Sequence, residues 1–275
     1  MSQRNTQSAK TAARERMRAE RERQVKKEKT KRQIIVGGSV VVVLAIAAGV
    51  GWAVTQNNGS SGSSDHWASA ADQKLVKPAN TSGKDGTTVV IGKESAEKTL
   101  QMYEDPRCPV CAQFEQAVGP TIDKAVEDGT YKIQYIGATF LDDNLKGEGS
   151  KNALSAQGAA LNVSADAFLQ YKKAMYAKEN HPDETTDGFK SDATLIKIAN
   201  QVPALKDNKA FQKDVKKGTY DKWALTMSKK FDDSKGVNGT PTLMMDGKKL
   251  TSPGSDNAPG SVEEFNNALD PILKG

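Results

Sequence analysis

Residues 99–118 read TLQMYEDPRCPVCAQFEQAV, and the change of period inside this stretch decides the fold. TLQMYED (99–105) is strand-like, whereas Cys111, Phe114 and Val118 recur at helical spacing. Asp105-Pro106-Arg107-Cys108-Pro109-Val110-Cys111 therefore spans the end of a strand and the start of a helix. At such a junction the free backbone N–H groups and the helix dipole favour an anion, which lowers the pKa of Cys108. Arg107 next door is expected to add to that effect. Pro109 suits the first helical turn, where its missing N–H costs nothing. Two thiols separated by two residues on a first helical turn can close a disulfide, with Cys108 as exposed nucleophile and Cys111 as the more buried resolving thiol. The predicted chemistry is thiol–disulfide exchange through a mixed disulfide on Cys108.

Two other uses of such a pair fare worse. Half of a zinc site fails on inventory, since the chain holds only these two Cys and two His, His66 and His181, at spacings that match no structural zinc pattern. No metal site is expected. A purely structural disulfide closing so short a loop constrains little of the unfolded chain and stabilises weakly.

Working outward, TTVVIG (87–92) and YKIQYIGATF (131–140) read as strands on either side of the motif and its helix. From about residue 148 to 232 helical stretches follow, such as ALSAQGAALNV, DAFLQYKKAMYA and DATLIKIANQV. Trp223, Tyr220, Tyr171 and Phe168 fall among them at spacings typical of core. A second motif, Gly236-Val237-Asn238-Gly239-Thr240-Pro241-Thr242, leads into the strand-like TLMMDGKKL, and SVEEFNNALDPILK (261–274) closes the chain as a helix. Gly119-Pro120 is expected to kink the helix that carries the cysteines.

With both motifs in place, the sequence resembles the DsbA-like branch of the thioredoxin superfamily over about residues 86–274. The resemblance implies an α/β thioredoxin fold with a helical insertion at about 148–232. It also implies a cis-proline loop at Pro241 lying against the cysteine pair, and contact of Thr240 and Pro241 with the substrate cysteine. Members of this branch are thiol–disulfide oxidoreductases, so the implied partners are cysteine-containing secreted or membrane proteins and a membrane redox partner that restores the pair. No cofactor is implied. The best-known members carry His where this chain has Val110, which implies a less lowered Cys108 pKa and a less oxidising pair. Asp105 is a candidate to tune Cys108 or to accept a proton for Cys111, or else a strand-end cap.

The formal charge of +5 divides unevenly: residues 1–32 hold 12 Lys or Arg against 4 Glu, a balance of +8, which leaves −3 on the rest. Nucleic acid is therefore not the expected partner. From Ile34 to Val54 no charged residue occurs for 21 positions, enough helix to cross about 30 Å of hydrocarbon. The expected order is a basic cytoplasmic segment (1–33), one transmembrane helix in the lipid bilayer (34–54), a flexible linker (55–83) and the catalytic domain (84–275). The Lys and Arg before the apolar run keep the N-terminus inside, placing that domain outside a bacterial cell membrane as a single-pass protein. A cleaved signal peptide fits less well, because the apolar run exceeds the usual 7–15 residues and its charged preface is long. Oxidation of substrates is the expected direction. The alternatives are a reductase or isomerase of the same fold, or a non-catalytic tethered polypeptide-binding module.

Overall fold

The computed structural model describes residues 63–274. The basic segment 1–33 and the expected span 34–54 lie outside the described residues, among which no helix is long and apolar enough to cross a membrane.

Five strands form one sheet in the order β1-β3-β2-β4-β5: β1 (Val89–Ile91), β2 (Thr99–Glu104), β3 (Lys132–Gly137), β4 (Thr242–Met245) and β5 (Lys248–Lys249). β2 is central, parallel to β3 and antiparallel to β4, with Met102 opposite both Tyr135 and Leu243. A parallel neighbour needs a crossover, and α2 (Pro109–Asp128) supplies it, running unbroken through Pro120. β1 runs antiparallel to β3. The stretch TLMMDGKKL, expected as a single strand, is a hairpin instead. Asp246 and Gly247 both take positive φ, 52° and 73°, the conformation a two-residue hairpin turn requires, and β4 folds back on β5 there.

Between β3 and β4 the chain is helical: α3 (Phe140–Leu145), α4 (Gly149–Val163), α5 (Ala165–Tyr176), α6 (Asp192–Ala199), α7 (Lys209–Lys217) and α8 (Asp221–Asp232), with a 3-10 turn at Gly188–Lys190. Side-chain caps set several starts: Ser164, Ser191 and Asn208 accept the N–H groups of Ala167, Thr194 and Phe211. α9 (Val262–Lys274) ends the described chain.

Two cores result. Leu100 and Met102 of β2, Ile133, Leu243 and Met245 pack with Phe114, Val118 and Ile122 of α2 and Phe265 and Leu269 of α9. Tyr103, Tyr135 and Ile136 join the insertion, with Phe168, Tyr171, Tyr220 and Trp223 all buried. Gly158 makes the second core possible, because a Cβ there would stand 2.8 Å from Trp223 Cε3 and 2.9 Å from Tyr220 Cβ.

The flexible linker expected over 55–83 is corrected within its described part. Residues Ser63–Ala71 form α1, in which Trp67 is buried and His66 Nε2 lies 2.9 Å from Asp221 Oδ2 at the start of α8. Ser82 then bridges to Thr88. The Gly- and Ser-rich composition hid the pair His66-Trp67, whose burial and hydrogen bonding fasten the segment to the body.

Candidate active site

β2 ends in Glu104, and the turn that follows is closed by the Cys108 N–H donating to the Asp105 carbonyl at 2.9 Å. Cys108 is the N-cap of α2 in extended conformation and Pro109 takes the first helical position. The Cys108 sulfur accepts the Cys111 N–H at 3.4 Å. Both thiols are free and buried: Cys108, expected as an exposed nucleophile, is only 6% exposed because the helix start and the Thr240 loop close over it, and Cys111 is fully buried. Val110, the residue before Cys111, is 53% exposed and offers the pair no polar group.

From the other end of the fold, the loop before β4 comes to the same sulfur. Cys108 Sγ donates to the Thr240 carbonyl at 3.5 Å, and the Thr240–Pro241 peptide bond is cis. The two thiols are electrostatically unequal. The Cys108 pKa is lowered, first by its hydrogen bond with the Cys111 side chain and, against burial, by the Thr240 side chain and the Cys111 N–H. The Thr240 hydroxyl oxygen is buried beside this contact and has no hydrogen-bond partner among the described residues. The Cys111 thiol is pushed well up, by burial first and then by its proximity to Cys108 and Glu104.

Of the residues flanking the motif, Arg107 has a different surrounding from the one expected. Arg107 was expected to bring positive charge to Cys108. Its side chain is instead buried, with the guanidinium 2.8 Å from Asp142 and 3.3 Å from Asp187 and donating to the Glu184 carbonyl, so its charge is spent on the insertion. Asp105 behaves as the strand-end cap. It accepts the Arg107 and Leu141 N–H groups and the Ser150 hydroxyl, fastening the cysteine turn to α3 and α4. Burial raises its pKa to about 7, and its charge raises that of Cys108.

Behind Cys111 lies a buried charge cluster that sequence reasoning missed. Lys172 Nζ of α5 sits 2.9 Å from Glu104 and 2.6 Å from Glu115. Burial pushes the Glu104 carboxyl well up, with Lys172 opposing and Glu115 adding to the rise. Burial works against the Lys172 ammonium, yet the two carboxylates hold its pKa above the usual value. A glutamate closing an otherwise apolar strand, and a lysine inside the aromatic run FLQYKKAMY, were the available signals. Tyr176 donates to the Asp105 carbonyl at 3.1 Å, and its ring stacks on His181, which hydrogen-bonds the Pro106 carbonyl at 3.2 Å. Among the described residues no group of His, Cys, Asp and Glu is disposed to hold a metal ion.

With the geometry established, comparison with known proteins is informative. The family described as Thioredoxin matches residues 84–270. Serine/threonine-protein kinase PknE of Mycobacterium tuberculosis is 28% identical over 118 residues, 42% of this chain, which spans only about a fifth (21%) of the kinase's length. Disulfide bond formation protein D of Bacillus subtilis is 23% identical over 192 residues, covering 68% of this chain and 77% of that protein. Among solved structures, reduced DsbA from Mycobacterium tuberculosis superposes with a TM-score of 0.51 at 22% identity, covering 66% of this chain and all of that one.

Proposed function

The chain belongs to the Thioredoxin family, and on that premise we propose that it is an extracytoplasmic thiol–disulfide oxidoreductase that introduces or exchanges disulfides in cysteine-containing secreted or membrane proteins. In this reading residues 34–54 tether it to the bacterial cell membrane with the N-terminus cytoplasmic. The observation that carries the proposal is the inequality of the two thiols: Cys108 lowered and slightly exposed, Cys111 raised and fully buried.

That inequality fixes the order of events. With the pair oxidised, a substrate thiolate attacks the Cys108 sulfur, because Cys111 is out of reach. The Cys108–Cys111 bond breaks, a Cys108–substrate disulfide forms, and the electron pair leaves on Cys111, which takes up a proton as its raised pKa demands. A second substrate thiolate then attacks the substrate sulfur of the mixed disulfide. Cys108 departs as a thiolate, the better leaving group of the two. The substrate is oxidised by two electrons and the protein is left as the dithiol, to be restored by a membrane redox partner. Cys111 N–H and the Thr240 hydroxyl hold the departing thiolate. Thr240 and Pro241, facing Cys108 across the loop, align the substrate chain. Glu104, Glu115 and Lys172 set the field at Cys111.

One observation favours the second reading, a reductase or isomerase. Val110 supplies no donor to the Cys108 thiolate, so the dithiol is less favoured and the pair less oxidising than with a polar neighbour. The discriminating experiment is the reduction potential of the full chain in detergent, equilibrated against glutathione or dithiothreitol. A value near about −120 mV supports the disulfide donor and one near about −270 mV the reductase. A pair that does not cycle leaves the tethered binding module. Cys111→Ser should accumulate mixed disulfides on Cys108, and Cys108→Ser should form none.

A further inference from the structure

α7 presents a face made only of lysine. Lys209, Lys213, Lys216 and Lys217 recur at i, i+4, i+7 and i+8, so they share one side of the helix, and Lys206 extends the row before it. Phe211 and Val215, on the opposite side, are buried. All five lysines are exposed, and none forms an ion pair among the described residues. The acids in the same stretch are Asp207 and Asp214, the latter already accepting the Thr219 hydroxyl at 3.0 Å.

We propose that this lysine face docks on anionic lipid headgroups, holding the body on the membrane with its cysteine pair directed away from the bilayer. The proposal rests on the reading of residues 34–54 as a membrane anchor. Its first support is the place where α1 attaches. His66 meets Asp221 and Lys222 Nζ donates to the Ala71 carbonyl, so α1 is fastened at the α7–α8 junction. α1 begins at residue 63, leaving eight residues, 55–62, after the expected span. Eight residues reach at most about 28 Å even when fully extended, against the much longer tether that 29 residues would give. If residues 34–54 span the membrane, so short a connection gives the lysines a high effective concentration at the lipid surface.

The second support is α4, which links this end to the cysteines. Near its start Ser150 donates to Asp105, beside the motif. Near its end the Leu161 carbonyl accepts from Asn80, and Gly158 lies against Tyr220 and Trp223. From Ser150 to Gly158 the helix rises about 12 Å. The cysteine turn and the α7–α8 junction thus meet α4 at different points along its axis, and in this proposal the pair stays open to clients in solution.

The test uses the full chain in nanodiscs of phosphatidylcholine with or without phosphatidylglycerol, with the acetylation rate of each α7 lysine read by mass spectrometry. Slower acetylation of Lys209, Lys213, Lys216 and Lys217 only in the anionic discs, reversed by salt, is expected. Each lysine near an anionic surface strengthens docking about fivefold, so Lys213→Gln with Lys217→Gln should weaken it about 25-fold and restore acetylation of the remaining two. Both positions are exposed, and cycling of the cysteine pair should be unchanged. Equal rates in both lipids, whether fast or slow, overturn the proposal. A chain that does not enter the discs at all overturns the anchor reading instead, and the proposal falls with it.

Discussion

Replacing Lys172 by Met tests whether the buried cluster behind Cys111 is a balanced unit. The side chain is 5% exposed, and its ammonium contacts Glu104 at 2.9 Å and Glu115 at 2.6 Å, both carboxylates being nearly or fully buried. Methionine keeps most of the volume and can still lie against Tyr135 and Tyr176, over whose rings the ammonium now sits at 5.8 and 5.5 Å. What is lost is the only cation, among the described residues, paired with these two carboxyl groups. Removing one partner of a buried ion pair costs about 3–5 kcal/mol, because the remaining charge is stranded. The parent and Lys172→Met are compared by urea unfolding, taking the midpoint at constant slope. Adding Glu115→Gln to Lys172→Met should return part of the lost stability, since one of the two stranded carboxyl groups is then gone and burial already favours a protonated Glu104. The deficit of the single variant should also shrink as pH falls, because the uncompensated carboxyl takes a proton in the folded state. A loss below about 1 kcal/mol, or no recovery in the double variant, would show that the cluster does not act as a unit.

Three further outcomes are expected. Asp105 titrates at about 7 in the fold against an ordinary 3.8. A carboxyl whose folded pKa is raised stabilises fully below its unfolded pKa, and that stability is lost as pH rises from about 4 to about 7, by about 4 kcal/mol. Asp105→Asn should flatten this dependence in pH-stepped denaturation, and an unchanged slope would mean that another group causes it. Gly158→Ala, with its new methyl forced against Trp223 and Tyr220, should lose about 1–3 kcal/mol by overpacking, seen as a lower thermal midpoint; a neutral effect would mean that α8 shifts freely. Trp67→Ala should cost about 3 kcal/mol and expose residues 63–83 to limited proteolysis before the rest unfolds, while a protease-resistant variant would mean that α1 is held without its indole.

The sequence was most readable where one residue type had few alternatives. A change from strand to helical spacing across residues 99–118 located β2, the turn and α2, since periodicity reports directly which face is buried. Cys108 and Cys111 were legible because thiols are not common fillers, whereas the Thr240–Pro241 loop was placed only through the family resemblance. What escaped was decided by tertiary partners. Arg107 looked like a free charge beside a thiol, and nothing local announced Asp142 and Asp187, 35 and 80 positions away. Glu104 and Lys172 looked like solvated residues until the fold brought them together across 68 positions. α1 was lost in a composition that reads as linker, because nine residues with two anchoring side chains carry too little periodicity to stand out.

The contact between Cys108 and Thr240 spans 132 positions, and β4 can join the sheet only beside β2, which precedes the cysteines. During synthesis at about 5–20 residues per second, roughly 7–26 s pass between the appearance of the first thiol and that of the loop that faces it. Through that interval the nascent chain carries two cysteines but lacks the pocket that distinguishes them. The inequality of the two thiols is thereby postponed until the loop has been made, and a truncated product released before it would carry the thiols without their assembled surroundings.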